Sequence, residues 1–372
     1  MLLVCILGAC IEPYDPPLND ADINHLVVDG FVNTSQGIAT VTLTRTRPVK
    51  SSEAVPPVTG AFVAIEDDNG SNYPLYETAS GFYSGEIHDA SIERLYRLVI
   101  RTNDNREYAS DFITVLETPA IDSVTWSVET DGVEIAVNTH DATGLSRHYR
   151  WKYVETYAYH PHFNSLFMFE GDEIIYRPAQ ESIFTCWKSA ESADIKINST
   201  KHLEESVVSR FPIIFIPQGS IRLSVKYSAL VQQYALTEEA YDYWLSLERS
   251  TEHLGGLFDP LPSEVIGNIH NTKNPLEPVI GFFGGGSVQE SRMFMERREL
   301  PPYIVGSIHT NPYCELDSVF LSEVGDIHRP TTLLVGGIYA AGAGLVGYTT
   351  SIVSCVDCRS MGGVTQEPDF WE

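Results

Sequence analysis

The sequence predicts a mainly β protein: two β-sandwich units of immunoglobulin or fibronectin kind, with one prominent helix and an irregular insertion in the second. Three observations carry that expectation. Apolar and polar residues alternate in short runs at residues 39–44, 133–138 and 221–228, as strands with one wet face require. Turn chemistries separate such runs, at Asp68-Asn69-Gly70, Asn103-Asp104-Asn105 and Asp131-Gly132. Tyr149, Trp151 and Tyr153 recur at every second residue, the pattern of an aromatic stripe in a sandwich core. A carbohydrate-stacking platform is the functional reading of the same stripe.

Taken in order, residues 1–9 read as a lipoprotein signal peptide. An apolar run ends in Leu7-Gly8-Ala9 just before Cys10, the pattern of a bacterial lipobox in which cleavage frees the Cys10 amine and the thiol carries diacylglycerol. Each buried methylene contributes about 0.8 kcal/mol, so two or three acyl chains anchor stably where one does not. Residues 10–21 hold Pro13, Pro16 and Pro17 and read as an extended tether. A first sandwich is expected over residues 22–117, its last strand within 112–116, and a boundary where Glu117-Thr118 meets Pro119. Residues 118–372 form the second β-rich unit, with the insertion at about 158–215 and the helix at about 238–252. Thr237 is placed to cap that helix, Glu238 and Glu239 suit its positive end, and Tyr241, Trp244, Leu245 and Glu248 form one stripe to pack on a sheet.

Lys and Arg number 24 against 50 Asp and Glu, a formal net charge of −26. That balance argues against nucleic acid, whose phosphates need clustered cations, and against docking of the body on anionic lipid. Membrane attachment would fall to the lipid on Cys10. Of six cysteines, Cys5 would leave with the signal and Cys10 would carry lipid; Cys186, Cys314, Cys355 and Cys358 remain as disulfide candidates. Three connectivities are open to four thiols. Cys355 and Cys358 also form a CxxC, but a zinc ribbon wants a second such pair and a redox site wants a βαβ setting. Two disulfides are expected, with Cys355 and Cys358 bonded to different, distant partners. Residues 331–356 hold no charge and are long enough to span a bilayer. Five glycines, each unfavourable by about 1 kcal/mol within a helix, favour a buried strand-and-turn region instead.

Several motifs together carry a resemblance. They are the helix segment leading into GLFDPLP at residues 256–262, Gly267-Asn268-Ile269, Gly281-Phe282-Phe283, and the stretch from Cys355 through Arg359 to Phe370-Trp371. The chain resembles the DUF4249 proteins of the Bacteroidota over roughly residues 20–372. The resemblance implies an exported outer-membrane lipoprotein that accompanies TonB-dependent transporters, with no catalytic residues to carry over. Gly284-Gly285-Gly286 stands where small residues such as Ala and Ser are expected. Physically, the matched residues read as architecture: Asp259-Pro260 and Pro262 as a rigid turn, Phe370-Trp371 as a plug that pins the chain end.

Other groups tempt. His160 and His162 form an H-x-H but lack further ligands at a fixed spacing, so surface histidines are the plainer reading. Residues 67–72 look like a calcium loop without its closing Glu and fit a hairpin turn. Gly284 to Ser287 lacks the Lys of a P-loop and reads as a bulge or tight turn. Hydrolase motifs such as GxSxG or HExxH are absent from the sequence. The expectation is therefore a lipid-anchored, non-catalytic binding or accessory protein without cofactor or metal, associated with a TonB-dependent β-barrel. The alternatives are a glycan- or peptide-binding surface module and a hydrolase using a carboxylate pair that spacing cannot reveal.

Overall fold

A computed structural model describes residues 24–47, 54–252, 265, 267–305, 313–327 and 330–371. The protein is mainly β, with several sheets and one prominent helix. Alternation sets the first sheet. In Leu26–Asn33 the residues Leu26, Val28 and Val32 are buried while Asp29 and Phe31 face outward, and Ile38–Arg45 repeats the pattern with Val41 and Leu43 inside. The sheet has ten strands, running from Ile269–Asn271 through Glu107–Ser110, Leu95–Arg101 and Phe62–Asp67 to Ile38–Arg45, Leu26–Asn33 and Val279–Gly286. Inward residues from both halves share one core, with Val28 and Val41 against Ile65, Tyr96 and Leu98, so the sheet folds back on itself as two layers.

This sheet is not made from residues 22–117 alone. Its two ends come from much later in the chain: Ile269–Asn271 pairs antiparallel with Glu107–Ser110, and Val279–Gly286 pairs parallel with Leu26–Asn33, Gly30 opposite Phe283. Phe283 lies fully inside the first core. Gly284 to Gly286 is accordingly strand, not the expected bulge or turn; the parallel ladder continues to Asn33 opposite Gly286. The last strand expected at 112–116 is only Ile113–Thr114.

A second core lies between a three-stranded sheet (Ile121–Glu129, Gly132–Asp141, Ser206–Pro217) and a five-stranded sheet built on His148–Tyr159, Lys226–Leu236 and Val288–Glu296. Tyr149 and Trp151 are fully buried there, which removes Trp151 as a carbohydrate platform. The Trp151 indole N–H donates to Gln233 Oε1 (2.9 Å), and Gln233 Nε2 donates to the Pro119 carbonyl (2.7 Å), so the buried polar atoms are satisfied. Two expectations are corrected. Residues 221–228 are not one strand: Ser220 accepts from the Arg222 N–H and closes a 3-10 turn over Ile221–Leu223, and the strand begins at Lys226. Residues 158–215 are not irregular, since Cys186–Glu191, Lys196–Ser199 and Ser206–Pro217 all join these sheets.

Thr332–Ala340 and Gly344–Ile352 form a hairpin, joined by Asp317–Phe320, so the uncharged segment is strand and turn; no described helix is long and apolar enough to cross a membrane. The helix spans Glu238–Glu252, with the Ala240 N–H donating to Thr237 Oγ1 (3.2 Å). Tyr241, Trp244 and Leu245 of the expected stripe pack on the core, and the buried face widens to Ala240 and Tyr243 because the helix wedges between the two units: Tyr243 packs on Phe282 of the first (centroids 5.1 Å apart), with Leu236 of the second alongside.

Two of the chain's crossings between the units meet at one joint. Leu116 bridges Gly286, the Thr118 N–H donates to Ser287 Oγ (2.7 Å), and the Ala235 N–H donates to Thr118 Oγ1 (3.0 Å). The boundary near residue 118 is thus a buried, hydrogen-bonded joint.

Candidate functional site

Beside this joint the outward faces of the two units face each other across a cleft of about 390 Å³. The geometry follows from alternation. In Leu26–Asn33 the residues that are not core, Asp29 and Phe31, form one wall with Thr40 and Thr42 of the neighbouring strand. In Lys226–Leu236 the out-of-core residues Gln232 and Tyr234 form the opposite wall, and Ala240 and Trp244 of the helix close one end. The Phe31 and Tyr234 rings meet edge to face across the floor (5.2 Å). Gly284 leaves that floor open; a Cβ there would only touch Phe282 and Phe31 at 3.8 Å.

The strand that buries Tyr149 and Trp151 projects Arg150 and Lys152 from its other face into this cleft. A second hollow of about 460 Å³ shares Asp29, Arg150, Lys152 and Trp244, so the two cations stand between two cavities. Both are half-buried, and among the described residues neither side chain has a hydrogen bond or an ion pair. The Arg150 guanidinium lies over the Trp244 ring at 3.3 Å, and its Nε is fully shielded with no hydrogen-bond partner. Burial pulls the Arg150 guanidinium down to about 10, against the pull of Asp29. Burial first, then the neighbouring Arg150, lowers Lys152. Burial also pushes the Tyr234 and Tyr243 hydroxyls up to about 12, so both are neutral donors at neutral pH. This arrangement can bind a small molecule with charged and aromatic contacts. The sequence analysis missed it. The signal was present in the Arg150 and Lys152 that alternate with the aromatic stripe.

The cleft depends on the late segment being inserted correctly, and one side chain does much of that. Asn268 donates through Nδ2 to the Phe283 carbonyl (2.8 Å) and accepts the Phe283 N–H at Oδ1 (2.9 Å), pairing with the backbone as a strand residue would. A Cβ on Gly267 would land on the Gly281 carbonyl oxygen, and one on Gly281, whose φ is 128°, would land on the Val28 oxygen. The motifs at 267–269 and 281–283 are therefore architecture. A family model described as "Domain of unknown function (DUF4249)" matches residues 11–292. The chain belongs to the DUF4249 family. No curated protein matches it.

In this DUF4249 protein the matched span contains the whole cleft, whereas the motifs from Cys355 to Trp371 lie beyond it. Cys186 bonds to Cys358 and Cys314 to Cys355, so the CxxC cysteines do part to distant partners. Two disulfides fit a chain that folds in an oxidising, extracytoplasmic compartment. Trp371 sits edge-on to Phe294 (5.8 Å) and Trp187 (6.4 Å), and the Arg292 guanidinium covers Phe370 at 3.6 Å, which pins the end as expected. Cys10, the tether and the residues 256–262 lie outside the described residues. His160 stacks on Phe184 (4.2 Å) and His162 meets Phe163 (4.4 Å). Asp67 accepts from the Asn69 and Ser71 N–H groups and pairs with Arg94, so residues 67–72 are a hairpin turn.

Proposed function

We propose that this DUF4249 protein is a non-catalytic binding protein that captures a small ligand in the cleft between its two β units. In this reading the two cores are two sandwiches of immunoglobulin or fibronectin kind, held at a fixed spacing by the hydrogen-bonded joint. Cys10 carries a lipid that holds the body at the outer membrane, where it serves as accessory to a TonB-dependent β-barrel. The observation that carries the capture reading is the cleft itself: two half-buried cations and an aromatic floor, assembled from strands and a helix far apart in sequence. The apolar run into Cys10 and the proline-rich tether support the anchor.

The test has two arms. A thermal-shift screen of sugars, short peptides and small acids is expected to find a ligand that raises the melting temperature, with the rise abolished in Gly284→Val. That substitution fills the cleft floor and suits a strand. A screen without a hit, or a hit that Gly284→Val leaves intact, would remove the capture reading. Envelope fractionation of Cys10→Ser is expected to release the protein from membranes, and undiminished sedimentation would remove the anchor.

A second reading has its own observation. Tyr176 and Tyr339 are 68% and 61% exposed with their hydroxyls 3.4 Å apart, an aromatic pair that a surface-bound peptide or glycan could cover. Tyr339→Ala would then weaken binding that Gly284→Val spares.

A further inference from the structure

We infer that the ligand of the cleft carries a single carboxylate on a compact apolar body, the carboxylate received by Arg150 and Lys152 and the body lying against Trp244 and Phe31. The inference rests on the cleft being a ligand site and goes on to name the ligand's chemistry.

The first argument is pairing. Elsewhere Arg94 meets Asp67 and Arg222 meets Glu155 (2.9 Å), half-buried cations each held by an acid. Arg150 and Lys152 stand adjacent on one face of a strand, and among the described residues their side chains form neither ion pair nor hydrogen bond. Two like charges held side by side in a half-buried cleft are unfavourable, and the shielded Arg150 Nε–H without an acceptor adds to that. A carboxylate at the accessible part of the guanidinium supplies the direct charge-assisted partner that the lining acids do not.

The second argument is orientation. Trp244 holds the guanidinium plane at 3.3 Å, so Arg150 is ordered before a ligand arrives and less freedom is lost on binding.

The third argument is selection among anions. Asp29, Glu191 and Glu290 also line the cleft, so its acids outnumber its two cations. That rim repels added negative charge in proportion to its size, so a multiply charged phosphate is disfavoured more than a carboxylate with a single charge. The fork of a guanidinium fits the planar carboxylate. A cavity of about 390 Å³ lies at the small end of ligand sites, which argues for a compact body.

The experiment compares N-acetylphenylalanine with its uncharged amide, by calorimetry on the folded protein at low ionic strength. The acid is expected to bind at least tenfold more tightly than the amide. That preference should weaken as salt rises and disappear in Arg150→Met, while Arg150→Lys retains part of it. Circular dichroism checks the fold of each variant, and Lys152→Met replaces Arg150→Met should the latter fail to fold. Equal binding of acid and amide, an acid preference that survives loss of the cation, or no binding of the acid at millimolar concentration would each overturn the inference. A neutral ligand that Gly284→Val blocks and Arg150→Met leaves alone would overturn it while leaving the capture reading standing.

Discussion

At the scale of single residues, Asn268 shows how little chemistry is needed to redirect a chain. Its carboxamide donates to and accepts from the same residue, Phe283, and so occupies both backbone groups on the free side of that strand. Phe283 is fully buried, so water cannot replace those bonds. Asn268→Ala is expected to destabilise the protein by about 3 kcal/mol, the sum of two bonds lost from buried groups, with a smaller urea midpoint as the readout. Asn268→Asp keeps the acceptor but sets a carboxylate oxygen against the Phe283 carbonyl, and should be at least as damaging. A loss under about 1 kcal/mol in both would mean that other pairing holds the segment. The residue-level role was only half legible in sequence. Gly267, Asn268 and Gly281 could be recognised as architecture, but which backbone Asn268 meets is a matter of three-dimensional register. Arg150 shows the converse: its alternation with Tyr149 and Trp151 fixed its face, but that the face is covered by a second unit is not local information.

At the scale of elements, the legible parts are those whose period answers to one neighbour. Residues 133–138 and 39–44 alternate and are strands, and Thr237 caps the helix it was expected to cap. Residues 221–228 alternate just as well, yet Ser220 diverts the first three into a 3-10 turn, since a hydroxyl beside a backbone N–H competes with the ladder. The helix buries a wider face than the expected stripe, taking in Ala240 and Tyr243, because it packs against two units at once. Elements inserted from afar need their own fastenings, and Glu277 fastens the 269–277 segment. It accepts from the Tyr108 hydroxyl (2.7 Å), Arg106 Nη1 (3.1 Å) and Asn271 Nδ2 (2.7 Å). Burial alone would raise its carboxyl, but these donors outweigh burial and hold it below its ordinary value of 4.5. A carboxyl depressed in the folded state contributes stability that is complete above the ordinary value and lost as pH falls through the folded one. Glu277→Gln should therefore melt well below the natural protein at neutral pH, and the gap should narrow on acidification below about pH 4.5. Melting curves across pH test this. A gap of constant size would show that the charge on Glu277 is irrelevant to the fastening.

At the scale of the whole molecule, the order of the chain and the order of the sheets disagree, and that disagreement creates the cleft. Leu26–Asn33 cannot complete its sheet until Val279–Gly286 has been made, and most of the second unit lies between them in the chain. The chain thus crosses between units three times, and the paired crossings at Thr118 and Ser287 fix the spacing at which Arg150, Trp244 and Phe31 converge. Composition and period could not reveal this, because each strand's pattern is satisfied by any apolar partner surface. A consequence can be measured. A fragment of residues 24–117 has the length and composition of a sandwich domain but lacks Phe283 and Ile269 from its core, and it exposes Leu26–Asn33 as an unpaired edge. Such a fragment is expected to show no cooperative thermal transition, to bind a hydrophobic dye, and to aggregate as its concentration rises. A synthetic peptide covering residues 267–288, carrying Asn268 and the Gly281–Gly286 strand, should restore a transition when added in excess, since it supplies both missing strands. The same peptide with Gly281→Val should not, because its Cβ would collide with the Val28 carbonyl. A fragment that melts cooperatively alone would show that the first core stands without the late strands, and the cleft would then be an accident of docking rather than of chain path.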